Sequence, residues 1–93
     1  MHSHVLSSEM TGYQVTFIDL GRLMQDFPTE VQAIITRRLG LQAVSVEIEL
    51  ARNAPVFLNA AGAVVPLEDV HERVQADQAA QYDLYQFAMS QWR

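Results

Sequence analysis

Residues 67–92 contain neither glycine nor proline, and most of them are good helix formers. Such a stretch predicts helix throughout. A continuous helix would be about 39 Å long, whereas a compact globule of 93 residues is about 32 Å across. Either the helix breaks near its alanine-rich middle, residues 75–81, or its aromatic end projects beyond the domain.

The first part of the chain predicts a strand followed by a capped helix. Residues 13–18 alternate along the chain and are rich in aromatic and β-branched types, which favours a β-strand. Asp19 is placed to cap a short helical turn over residues 20–24. The pattern Thr29-Glu30-Val31-Gln32 resembles a capping box, so Thr29 is predicted to cap a second helix that ends at Gly40. The apolar stripe of this second helix would be Val31, Ile34, Ile35 and Leu39.

The middle of the chain predicts three further strands. Residues 43–50 alternate most clearly and should have one buried and one solvated face. Turn residues follow, and shorter strands are expected at residues 56–58 and 63–65. Residues 59–62 fit a type I turn with a glycine bulge, and Pro66 should end the last strand. The expected buried residues are Val44, Val46, Ile48 and Leu50, and the solvated ones are Ser45, Glu47 and Glu49.

These elements predict an α+β fold in the order β-α-β-β-β-α. We expect a two-layer sandwich, in which two helices cover one face of a mainly antiparallel, four-stranded sheet. Residues 1–11 are polar and aperiodic, and we expect them to form a flexible tail. Residues 12–93 then form a single domain, as the length of the chain suggests.

The composition excludes several classes of protein. Eleven acidic residues against six arginines give a net charge of −5, which disfavours direct binding to nucleic acid. There is no cysteine, which fits a reducing compartment. No apolar run approaches the ~20 residues of a membrane span. We expect a cytoplasmic protein without a cofactor, and the arginine-only, alanine-rich composition suggests a bacterial or phage origin.

Few residues suggest catalysis or metal binding, and each has a simpler interpretation. His2 and His4 offer two ligands, fewer than zinc requires. Glu47 and Glu49 would lie about 7 Å apart on one strand face, as glycosidase carboxylates can, but that face should be solvated. His71 has acidic neighbours but no nucleophile in a motif context. We therefore predict no catalytic residue and no metal, and a small hydrolase using the carboxylates or His71 is the weakest hypothesis.

The end of the chain has a different composition, because residues 82–92 contain half of the aromatic side chains. Aromatic residues and methionine are enriched at the cores of interfaces. Here they fall on two helical stripes, and a single sheet would cover only one. We therefore predict a non-enzymatic interaction module, either a homodimer or an adaptor or inhibitor docking on a larger protein. The predicted partner-binding residues are Tyr82, Tyr85, Phe87, Met89 and Trp92; the alternative is an aromatic-rich edge of the core.

A second hypothesis comes from the acidic charge. A small protein with suitably spaced carboxylates can mimic nucleic acid and inhibit a protein with a basic groove, as some phage-encoded inhibitors do. This function needs acids on one continuous surface, whereas an interaction module needs an exposed apolar patch. The acidic residues in question are Glu47, Glu49, Glu68, Asp69, Glu72, Asp77 and Asp83.

Overall fold

A computed structural model of the chain describes residues 14–47 and 53–92, and the side chains of residues 14–44 and 56–92. The helices are α1 (Phe17–Asp26), α2 (Pro28–Leu39), α3 (Leu67–Ala76) and α4 (Gln78–Gln91). The strands are β1 (Gln42–Glu47), β2 (Asn53–Leu58) and β3 (Val64–Val65), which form an antiparallel sheet in the order β1-β2-β3.

The predicted architecture is therefore wrong in its element order and in both of its layers. The described residues form four helices and a three-stranded sheet, not two helices on a four-stranded sheet. Two changes account for the difference: the predicted first strand is the start of a helix, and the predicted last helix is divided in two. The predicted tail, residues 1–11, lies outside the described residues.

The predicted strand at residues 13–18 is wrong because Thr16 begins a helix. The backbone of Thr16 is extended, and its Oγ1 accepts a hydrogen bond from the backbone N–H of Asp19 at 3.1 Å. This is N-cap geometry, and it satisfies a donor that the first turn leaves open. Asp19, predicted as the cap, instead lies in the first turn and is fully buried, as are Leu20 and Leu23.

The second helix ends as predicted but begins differently. Pro28 is its first residue, and Phe27 precedes it without any side-chain capping bond. The prediction that Thr29 caps this helix is wrong, because Thr29 lies within it. Proline suits the first helical position, since its φ is preset and it has no N–H to satisfy. At the other end, Gly40 adopts the left-handed conformation with φ 71°, and its N–H bonds the carbonyl of Thr36 at 3.1 Å.

The first two of the three predicted later strands pair antiparallel as β1 and β2. The register of β1 and β2 runs from Gln42 opposite Leu58 to Glu47 opposite Asn53. Strand β2 thus begins at Asn53, where a turn was predicted. Val44 is half-buried. Residues 48–52 and the side chains of residues 45–47 lie outside the described part of the chain, so the predicted alternation there stays a prediction.

The turn between β2 and β3 is confirmed. The N–H of Gly62 bonds the carbonyl of Asn59 at 2.9 Å, and Gly62 has a φ of 83°. The Asn59 side chain also accepts hydrogen bonds from the backbone N–H groups of Ala61 and Ala63, each at 2.9 Å. Strand β3 stops directly before Pro66, as predicted, because proline has no N–H to continue the ladder.

The long helical segment breaks at Asp77, within the alanine-rich stretch. The N–H of Asp77 bonds the carbonyl of Val74 at 3.1 Å and ends α3. The carboxylate of Asp77 accepts from the N–H of Ala80 at 3.0 Å and caps α4. Of the two alternatives, the chain adopts the break, so helix length no longer requires the aromatic end to project.

The four helices form a closed ring of contacts. Helix α1 packs against α2 and α3, and α4 also packs against α2 and α3. Phe27 meets Phe87 at one end of the α2–α4 contact, and Arg38 meets Asp83 further along. Helices α2 and α4 therefore run in opposite directions. Leu41, Phe57 and Val65 connect the sheet to the same core. The fully buried residues of that core include Val15, Leu20, Leu23, Val31, Ile35, Val70, Val74, Leu84 and Ala88.

Candidate functional site

Helix α4 carries apolar side chains on two opposite sides. Ala80, Leu84 and Ala88 are fully buried and face the other helices. On the other side, Tyr82 is 43% exposed and Met89 is 38% exposed. At 3.6 residues per turn, positions 82, 85, 86 and 89 lie close together around the helix. We call the surface formed by Tyr82, Tyr85, Gln86 and Met89 the outer face of α4; Tyr85 is half-buried at its margin, and Gln86 is exposed.

The outer face of α4 carries no charge. Asp83 is the one charged residue between positions 78 and 91. Arg38 Nε donates to Asp83 Oδ2 at 2.6 Å, and Arg37 Nη2 donates to the same oxygen at 3.3 Å. The hydrogen bond from Arg38 holds the pKa of Asp83 below its usual range and raises the pKa of Arg38. The charge of α4 is thus compensated by α2.

Two of the predicted partner-binding residues are packed inside the chain. Trp92 is only 4% exposed, and its ring centroid lies 6.5 Å from that of Phe27. The guanidinium carbon of Arg22 lies 4.6 Å from the centroid of the Trp92 ring, a cation–π contact. Phe87 is half-buried and meets Phe27 edge to face at 5.3 Å. Of the predicted set, Tyr82, Tyr85 and Met89 remain on the outer face of α4.

Sequence reasoning did not connect Phe27 and Arg22 with this end of the chain. Phe27 is the single residue between α1 and α2, and Arg22 lies on α1. About seventy positions separate them from Trp92, so no local spacing or helical period reports the contact. The only available signal was a large apolar residue at the junction of two helices, a position that commonly packs under the neighbouring element.

The predicted acidic surface is divided among several roles. Glu68, Asp69 and Glu72 are exposed on α3. Asp77 is half-buried and caps α4, whereas Asp83 is bound by two arginines. The side chain of Glu47 and the whole of Glu49 lie outside the described part.

The His71 side chain makes contacts within the fold. Its Nε2 donates to the carbonyl of Val15 at 2.9 Å, and its ring lies 5.8 Å from that of Phe17, edge to face. The N–H of Val15 donates to Oε1 of Gln81 at 3.2 Å. The side chains of His71 and Gln81 thus hold the segment before α1 against α3 and α4. Within the described ranges no group of three or more metal-ligating side chains occurs, and His2 and His4 lie outside them.

Two of the clefts in the described part of the chain are large enough to consider as sites. The first, of about 240 Å³, is lined by apolar residues and lies between α1, the sheet and the start of α3. The second, of about 310 Å³, contains Arg38, Arg73 and Asp77 at the ends of α2 and α3. Neither cleft brings together a nucleophile and a base, which acyl or glycosyl transfer would require. The residues lining the first cleft are Met24, Val56, Phe57, Val64, Val65, Pro66 and Leu67.

The sequence matches no model of a known protein family, and comparison with curated proteins and with solved structures found no match. Over the part of the chain that the structure describes, no helix is long and apolar enough to cross a membrane.

Proposed function

We propose that this protein is a non-enzymatic interaction module, which docks through the outer face of α4 onto an apolar, uncharged protein surface. The observation that carries the proposal is the double-sided character of α4. Its inner side already buries Ala80, Leu84 and Ala88, yet Tyr82 and Met89 are partly exposed on the other side. A helix that only covers its own core needs one apolar stripe.

The chemistry of the outer face of α4 resembles that of an interface core. Such cores are enriched in aromatic residues and methionine and are poor in charged groups. Three other large apolar side chains are exposed in the described part of the chain: Phe17, Ile18 and Val64. Phe17 and Ile18 are neighbours at the start of α1 and Val64 lies on β3, whereas Tyr82 and Met89 share one uncharged face of a single helix.

The two other hypotheses draw less support. A nucleic-acid mimic would use Asp77 and Asp83, but a helix cap and two arginines already engage these carboxylates. Among the described side chains of this acidic set, Glu68, Asp69 and Glu72 on α3 are the exposed ones. A hydrolase would need a cleft with a nucleophile beside a base. His71 instead bonds a backbone carbonyl.

A photo-crosslinking side chain at Gln86 tests the proposal, with Glu72 on α3 as the matched control, because both positions are exposed on helices. In an extract of the source cells, we expect protein adducts from position 86 and none from position 72. Met89→Arg should abolish them and change the free energy of unfolding by less than about 0.5 kcal/mol. Any captured protein is then purified and its binding compared between wild type and Met89→Arg.

Equal adducts from both positions would contradict the proposal. So would purified binding that Met89→Arg leaves unchanged, or the absence of any adduct from position 86.

A further inference from the structure

We propose that the cleft between α1, the sheet and the start of α3 is a binding site for a small, neutral molecule with two fused aromatic rings. The cleft holds about 240 Å³, and its described lining residues all have apolar side chains. Water in such a cleft finds no side chain to hydrogen-bond, so an apolar ligand gains free energy by displacing it. The site is separate from the outer face of α4, since none of these lining residues belongs to α4.

The cleft has a closed floor and an open rim. Phe57 and Val65 are 2% and 5% exposed, lie opposite each other on β2 and β3, and belong to the hydrophobic core. Val64 also lines the cleft but is 63% exposed, because successive residues of a strand point to opposite faces. A ligand can therefore reach the buried floor from solvent through the open rim.

Local bonds on both sides of β3 hold the rim in place. On one side Pro66 has φ −62°, which its ring fixes, and its carbonyl accepts from the N–H of Val70 at 3.0 Å. On the other side the turn is closed by the bond from Gly62 to Asn59. These constraints oppose collapse of β3 into the cleft. The cleft is thus preformed, and a ligand loses little free energy in ordering it.

The volume sets the size of the ligand. A cavity of about 150 Å³ in a protein core accommodates benzene, a ring of six carbons. In the same proportion, a cleft of about 240 Å³ accommodates about ten non-hydrogen atoms. Naphthalene and indole are of this size, so a fused pair of rings fills the cleft, whereas a single ring leaves part of it empty.

The lining favours an aromatic ligand over an alkyl chain. Phe57 offers its ring, and two aromatic rings attract one another beyond the effect of the area that they bury. Met24 offers a thioether sulfur, which also makes favourable contacts with aromatic rings. Because Phe57 lies on β2 and Met24 on α1, a flat ring system between these elements can contact both.

Titration of the purified chain with indole tests the site, followed by the methyl resonances of the lining residues in carbon–proton NMR spectra. Over about 0.1 to about 10 mM indole, we expect the methyl shifts of Val56, Val64, Val65 and Leu67 to saturate with a Kd on the order of 1 mM. Benzimidazole has the shape of indole but a second ring nitrogen that no lining side chain can satisfy, so its Kd should be at least about fivefold higher. The alkyl comparator, 1-hexanol, leaves water about as readily as indole and should also bind more weakly.

A cleft-filling variant tests the location. Val56→Phe places a phenyl ring in the cleft and should raise the Kd for indole at least about tenfold. Ile18→Phe is the matched control, because it adds the same ring at an exposed position outside the lining, and it should leave the Kd unchanged. Circular dichroism checks that both variants fold. If Val56→Phe does not fold, Leu67→Phe supplies the same test from α3.

Each outcome decides one part of the proposal. Shifts that fail to saturate, or a cleft-filling variant that folds and binds indole as well as wild type, would overturn the site. Binding of 1-hexanol as tight as that of indole would overturn the aromatic preference. N-acetyltryptophan amide carries the indole rings on a peptide unit and should bind more weakly than indole; tighter binding would show that the cleft takes a tryptophan side chain of another protein instead. Met89→Arg should leave the indole titration unchanged, so this result and the test of the proposed function are independent.

Discussion

Replacing Trp92 with alanine tests whether the aromatic end belongs to the chain's own core. The Trp92 ring is almost fully buried, beside Phe27 and under the guanidinium of Arg22. Truncation of a buried tryptophan costs about 3–5 kcal/mol, and the lost cation–π contact is worth about 0.5–1 kcal/mol. Trp92 lies past the end of α4, where the backbone can separate from the core more easily. We therefore expect a loss near the lower end, about 3 kcal/mol.

Urea unfolding followed by circular dichroism measures this loss. The matched control is Met89→Ala on the outer face of α4, which should cost less than about 1 kcal/mol. Trp92 is the only tryptophan, so its fluorescence reports on this site alone. Its emission should be blue-shifted in the folded state even at the lowest protein concentration measured. A loss below about 1 kcal/mol, or a blue shift that appears only as concentration rises, would refute burial within the monomer.

Two further predictions concern a helix cap and an ion pair. Thr16→Ala should cost about 1 kcal/mol and Thr29→Ala less than about 0.5 kcal/mol in urea unfolding; the reverse order would contradict the cap at Thr16. Asp83→Asn removes the partner of Arg38 and should cost less than about 1 kcal/mol near neutral pH, because the pair is partly exposed. Because the folded-state pKa of Asp83 is lowered, its contribution is present above the unfolded value of about 3.9 and is lost as pH falls through the folded value. The difference between wild type and Asp83→Asn should therefore shrink in unfolding experiments below about pH 4, and a difference that persists there would contradict the assignment.

Local chemistry was the part of the fold that the sequence could predict. Gly40 ends α2 because the residue there needs a positive φ, and Asn59 with Gly62 forms the turn between β2 and β3 for a similar reason. Pro66 stops β3 because it has no N–H. Each of these features depends on one to four adjacent residues, so a single sequence contains enough information.

The error at residues 13–18 has a long-range cause. The side chains of Gln81 and His71 hold Val15 against α3 and α4, and this contact brings Thr16 to the position from which α1 starts. Alternation over six residues is compatible with a strand or with a short extended segment before a helix. The choice depends on partners more than fifty positions away, which periodicity does not report. For the same reason, the sequence did not decide between a continuous helix over residues 67–92 and a break near Asp77.

The candidate surface shows how the end of a helix redirects a side chain. By helical phase, Trp92 would extend the stripe of Tyr82, Tyr85 and Met89. Helix α4 ends at Gln91, however, and Trp92 has φ −110° and ψ 81°, outside the helical range, so its ring turns towards Phe27. This turn removes the largest apolar side chain from the outer face of α4. The remaining surface is smaller than composition alone suggests, so the proposed docking would bury a small area, which suits a transient complex better than a permanent one.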